Sequence, residues 1–110
     1  MLAAWHSKFG PAAEVIQLGD LSKPIPKKGE VLVRVFASGI NPLDVKKRAG
    51  NRGNLDVDKA IPHYDGAGII EEIGPGVDQE RLGQRVWVFE GQFGRWLGTA
   101  AEYITILSSR

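Results

Sequence analysis

Glycine and proline punctuate this chain from end to end, and that limits its fold more than any other feature. Fourteen Gly and six Pro are scattered along 110 residues without forming a low-complexity tract or a repeat, a pattern best met by short strands separated by many turns. The sequence therefore predicts a mainly β fold. A chain of 110 residues can bury a real core as one domain but cannot hold a catalytic domain and a separate nucleotide-binding domain together. With 43% hydrophobic and 25% charged residues it matches neither a disordered nor a membrane protein.

Charge narrows the partners. A formal net charge of +1 gives no extended basic field, and the basic clusters Lys27-Lys28 and Lys46-Lys47-Arg48 are expected to be solvated surface. No aromatic residues interleave with them as a stacking platform for nucleic acid would require. The absence of cysteine excludes a disulfide framework, a thiolate nucleophile and a cysteine-rich zinc site. The stretch from Met1 to Lys8 lacks the apolar segment of a signal peptide, so a cytoplasmic location is expected.

Along the chain, Leu2–His6 and Glu14–Leu18 suit two strands of an opening hairpin about the turn Phe9-Gly10-Pro11. Residues 21–29, with Pro24 and Pro26, should form an exposed connector. Glu30–Ala37 alternates strongly: Val31, Val33 and Val35 share one face and predict a core strand. Helix-start chemistry follows, with Asn41 at the N-cap, Pro42 at N1, Asp44 at N3 and Gly50 as the stop. A polar loop over 51–59 is expected to lead to residues 61–68, whose Gly66 and Gly68 permit close backbone approach. Ile69–Ile73, Arg85–Phe89 and Ala100–Ile106 read as further strands, the last two joined by a Gly-rich, aromatic loop over 90–99. Six or seven strands with a short helix predict a small, partly open β-barrel.

Four segments then carry a family resemblance: residues 37–44 (Ala-Ser-Gly-Ile-Asn-Pro-Leu-Asp), 65–71 (Asp-Gly-Ala-Gly-Ile-Ile-Glu), 83–87 (Gly-Gln-Arg-Val-Trp) and 98–103 (Gly-Thr-Ala-Ala-Glu-Tyr). In this order and spacing they resemble medium-chain dehydrogenase/reductases over essentially the whole chain, and the Asn-Pro-x-Asp element is similar to the quinone oxidoreductase branch related to zeta-crystallin. The resemblance implies a GroES-like, partly open β-barrel with one or two short helices. It also implies that residues 1–110 form the substrate-side catalytic domain, cut within its last strands, without the Rossmann domain that follows in such enzymes. The implied reaction of the complete enzyme is hydride transfer from NADPH to a quinone or an activated alkene such as an enone. NADP(H) would be bound mainly by the missing domain, zinc would play no part, and the full-length protein would be a homodimer. An enoyl-thioester or alkenal reductase of the same superfamily fits the same motifs. A non-enzymatic GroES-like interaction domain or a co-chaperonin ring subunit would share the fold.

Four residues are candidates for the substrate and nicotinamide cleft: Asn41, Tyr64, Asp44 and Asp65. In zinc-dependent relatives the position of Asn41 resembles that of a cysteine ligand, and Tyr64-Asp65 stands where a His-Glu pair would be. An amide, a phenol and one carboxylate are a poor ligand set for catalytic zinc. Asn41 has two readings of equal standing, an N-cap amide or a donor to a quinone carbonyl. Asp44 reads first as a first-turn acid that complements the helix dipole, Asp65 as a buried hydrogen-bond anchor that shapes the cleft, and Tyr64 as a pocket wall with a polar tip. His63 reads as a loop histidine bonded to backbone, and Phe93 and Trp96 as caps of the substrate mouth or, more simply, covers of the barrel end. The pairs Gly66/Gly68 and Gly74/Gly76 lack the third glycine and the following helix of a dinucleotide fingerprint. No Ser-His-Asp set or nucleophile elbow supports hydrolysis.

Overall fold

The computed structural model describes residues 1–50, 57–92 and 95–109. The expected loop over 51–59 therefore falls largely outside the described residues, as does Phe93. Strand β1 is Leu2–Trp5, helix α1 Ala12–Val15, β2 Gln17–Asp20, β3 Glu30–Ser38, α2 Pro42–Ala49, β4 Gly66–Ile73, β5 Arg85–Val88 and β6 Tyr103–Leu107, with a 3₁₀ turn at Gln79–Arg81. The β1 and β2 strands form a two-stranded sheet, and the others a four-stranded antiparallel sheet in the order β5-β4-β3-β6. Isolated bridges Ala3↔Ala101, His6↔Ala60 and Ile61↔Leu97 join the rest. The sheets do not close on themselves, which is the expected partly open, GroES-like arrangement.

The opening hairpin is present, but its second strand lies later than the sequence suggested. Residues 12–15 make one helical turn, and only then does β2 run, with Leu2 opposite Asp20 and Trp5 opposite Gln17. The physical reason is local: Pro11 has φ −63°, suited to a helix start, and Ala12, Ala13 and Glu14 are good helix formers. Val15 is buried as the apolar side of that turn, which its β propensity alone would not suggest. Three smaller differences follow. Strand β4 begins three residues early, at Gly66. Strand β5 stops at Val88, and β6 begins at Tyr103 rather than at Ala100.

The valine face of β3 is core. Val31 and Val33 pack with Ile70, Val88, Ile104 and Ile106. Leu32, on the opposite face, is also fully buried, so the first half of β3 is covered on both sides, while Arg34, Phe36, Ala37 and Ser38 are exposed. Two irregularities interrupt its pairing with β4, one between Leu32 and Val33 and one between Val35 and Ala37. Gly68 allows this pairing to be tight, because a Cβ there would overlap the Arg34 carbonyl.

Candidate functional site

Strand β3 ends at Ser38, helix α2 begins at Pro42, and the turn between them lies against the loops at 62–65 and 97–101. The N–H of Gly39 donates to the Asp65 carbonyl at 2.8 Å, and that of Thr99 to the His63 carbonyl at 3.0 Å. These backbone bonds gather the side chains of Ser38, Asn41, His63, Asp65 and Thr99 into one cluster.

The helix start is as the sequence predicts. Asn41 is the N-cap, and the Asp44 carboxylate accepts from the Asn41 backbone N–H at 2.7 Å. At the other end Gly50, at φ 94°, closes the helix. The Asn41 side-chain amide has a further partner: its nitrogen donates to the Asp65 carboxylate at 2.8 Å. Asn41 thus anchors the loop before β4 to the helix start through Asp65, which is half-buried where a buried anchor was expected. Asp44 is only 5% exposed, and its second carboxylate oxygen is buried without a hydrogen-bond partner among the described residues.

Tyr64 points to a different partner from Asp65. Its hydroxyl accepts from the Lys47 ammonium at 3.1 Å, and the same nitrogen lies 4.9 Å from the centre of the Tyr64 ring and 4.4 Å from that of Trp96. Lys47 is buried between two aromatic faces, which corrects the expectation that Lys46-Lys47-Arg48 is a solvated face. Only Lys46 of the three is exposed, and Arg48 donates to the Gly10 carbonyl at 3.2 Å. One helical turn puts Asp44 and Lys47 on the same inward side of α2. Trp96 also meets Phe9 and the buried His6, in keeping with a covering role. The His6 Nδ1–H donates to the Lys8 carbonyl at 3.1 Å. Burial, with smaller contributions from Arg48 and Lys47, lowers the pKa of His6 against the opposing pull of that bond.

Sequence reasoning missed Ser38, His63 and Thr99 as a connected unit. Ser38 Oγ lies 2.7 Å from His63 Nδ1 and 2.8 Å from Thr99 Oγ1, and the fully buried Thr99 hydroxyl donates to the Asp65 carbonyl at 2.7 Å. His63 therefore bonds a side chain, and not backbone as expected. Ser38 and Thr99 also lie at the edge of an open, apolar groove formed with Leu2, Leu18 and Phe36.

The cluster does not suit a catalytic metal. The Asn41 amide nitrogen and the Asp65 carboxylate satisfy each other, and the Tyr64 oxygen receives an ammonium proton that would repel a cation. Among the described residues no three His, Cys, Asp or Glu side chains converge as ligands. Nor does it suit a cofactor pyrophosphate, since Pro42 lacks an N–H and the Asn41 N–H is already given to a carboxylate.

Residues 27–110 match the family described as "Alcohol dehydrogenase GroES-like domain". The chain is 40% identical over 81 residues to a quinone oxidoreductase of Sus scrofa, covering 73% of this chain and 24% of that one. Among solved structures, the quinone oxidoreductase from Coxiella burnetii superposes with a TM-score of 0.84 at 29% identity, over 98% of this chain and 35% of that chain. A mycobacterial protein complexed with NADPH gives a TM-score of 0.82 at 25% identity, over 99% of this chain and 32% of the other. The chain spans about a quarter of the length of the curated relatives it matches. With the open antiparallel barrel already in view, these likenesses assign the fold and the lineage together: the chain belongs to the alcohol dehydrogenase GroES-like domain family.

Proposed function

We propose that this domain forms the substrate-side wall of an NADPH-dependent oxidoreductase that reduces a quinone or an activated alkene, without zinc, in the cytoplasm and as a homodimer when complete. The observation that carries this reading is the Asn41–Asp65 bond: the resemblance assigns metal ligands of zinc-dependent relatives to these two positions, and here the two side chains bond each other. The similarity to proteins named quinone oxidoreductases supports the substrate class. A structure named as an NADPH complex supports the cofactor. Among the described residues no helix is long and apolar enough to cross a membrane.

A reduced nicotinamide would supply the hydride, held chiefly by a further domain because these residues offer no pyrophosphate cradle. The part left to this chain is to orient the acceptor between Asn41 and Tyr64 and to exclude water with the apolar groove. The test is NADPH oxidation by the full-length protein, with a quinone, an enone and an enoyl thioester compared as acceptors. Asn41→Ala and Tyr64→Ala should each raise KM or lower kcat for the preferred acceptor. If Asn41 only caps α2, its variant instead loses about 1 kcal/mol of stability with unchanged kinetics.

A further inference from the structure

The protons in the Ser38, His63 and Thr99 chain can be assigned one by one. A carbonyl only accepts, so Thr99 must give its single hydroxyl proton to the Asp65 carbonyl. In its contact with Ser38, Thr99 is then the acceptor, and Ser38 uses its own proton there. Ser38 is left as the acceptor toward His63, so the proton in that contact is on Nδ1. The sequence of donors runs from His63 to Ser38 to Thr99 to the Asp65 carbonyl, and it fixes the ring as the Nδ1–H tautomer.

This leaves Nε2 outside the chain, with no hydrogen-bond partner among the described residues. His63 as a whole is half-buried. The backbone adds a second, independent observation. His63 has φ 82°, and among the described residues only Glu90 shares a positive φ without being glycine. Such strain persists where the surroundings hold it and concentrates at functional sites. Here backbone and ring are both held, by the Thr99 N–H on the His63 carbonyl and by Ser38 on Nδ1.

We propose that His63, entering the step as an imidazolium with a proton on each ring nitrogen, is the proton donor of this site: Nε2–H hydrogen-bonds the oxygen of a carbonyl-conjugated acceptor and protonates it upon reduction. This rests on the reductase reading above, with the electrons supplied by a reduced nicotinamide. The Nε2–H bond breaks, an O–H bond forms on the anionic oxygen of the reduced acceptor, and the neutral ring keeps its proton on Nδ1. A hydronium ion or a buffer acid from solvent then returns a proton to Nε2 and restores the imidazolium. Ser38 acts through the ring and is a positioning residue.

The experiment uses the full-length protein with a quinone and an enone as acceptors, and reads kinetics, thermal stability and histidine ring ¹⁵N spectra together. The His63 ring signals are assigned as those that vanish in a His63→Gly variant. Wild type should show the Nδ1–H tautomer at His63, and Ser38→Ala should lose that preference. His63→Gly should lower kcat about a hundredfold with KM little changed, and Tm should hold or rise because glycine suits φ 82°. His63→Asn, which tolerates positive φ but cannot shuttle the proton, should show the same loss of kcat. A lower Tm with unchanged kcat in His63→Gly, or an Nε2–H tautomer in wild type, overturns the proposal. A wild type that reduces none of the acceptors, with the Nδ1–H tautomer still present, overturns the reductase reading and the donor role with it, and leaves the hydrogen-bond chain as structure.

Discussion

Lys47 shows how one buried charge can hold two aromatic rings. Its ammonium touches the faces of Tyr64 and Trp96 and donates to the Tyr64 hydroxyl. Truncating it removes the cation–π contacts and the packing of the stem, and deprives the Tyr64 hydroxyl of its partner. Lys47→Ala should cost about 1–3 kcal/mol in a denaturant titration, and Lys47→Met, which keeps the stem, should fall between that variant and wild type. His6, under the same tryptophan, makes stability depend on pH. Its folded-state pKa is lowered, chiefly by burial, so the unfolded chain binds the proton more readily. The stabilisation is present above the usual value of about 6.5 and is lost as pH falls through the window below it. Unfolding midpoints measured between pH 7.5 and pH 5 should decline, and the decline should be shallower in His6→Gln. Neither role could be read from the sequence. A run of three basic residues suggests solvent whatever its phase on the helix, because hydrophobic periodicity is blind to a polar residue facing inward between aromatic rings that come from distant loops.

Among the elements, those whose signals were local and agreed with one another were legible: the alternation of β3, the Asn-Pro-x-Asp start of α2 and its Gly50 stop. The one-turn helix α1 was not, since Glu14–Leu18 carries β-favouring residues and only the preceding proline and alanines argue otherwise. The site divides in the same way. Asn41, Asp44 and Asp65 were nameable because each lies in a motif, and the structure joins Asn41 to both acids. The links among Ser38, His63 and Thr99 span 25 and 61 positions, and nothing in their spacing announces the contact. Strand β4 carries its own test. A methyl on Gly68 would overlap the Arg34 carbonyl in the pairing of β3 with β4, and a backbone oxygen in a ladder cannot move aside as a side chain can. Gly68→Ala should therefore lose about 3 kcal/mol, the upper end of ordinary overpacking, with a correspondingly lower Tm.

At the scale of the whole molecule, the question is what this chain can hold by itself. Zinc requires three convergent donors and an open position, whereas here the amide, carboxylate and phenol that sit in the expected places are engaged with one another or with an ammonium. Metal analysis of the dialysed protein should accordingly find no stoichiometric zinc or other transition metal. A dinucleotide cofactor meets a firmer obstacle. A pyrophosphate is held by backbone N–H groups converging at a helix N-terminus, where the dipole favours negative charge. The candidate is α2, the longest helix described. Its first residue, Pro42, has no N–H to offer, and the Asn41 N–H is bound by Asp44, whose carboxylate is the charge a phosphate would have to displace. The nicotinamide end fares no better, because hydride transfer needs the ring held about 3–3.5 Å from its acceptor, and the groove beside Ser38 is open. Fluorescence titration of NADPH into the 110-residue chain should therefore show no saturable binding in the micromolar range. A quinone-dependent absorbance assay with the same chain should show no turnover above buffer. Micromolar binding would mean that a phosphate site exists on this domain away from α2, and enzyme-like turnover would mean that one domain can hold both reactants in place.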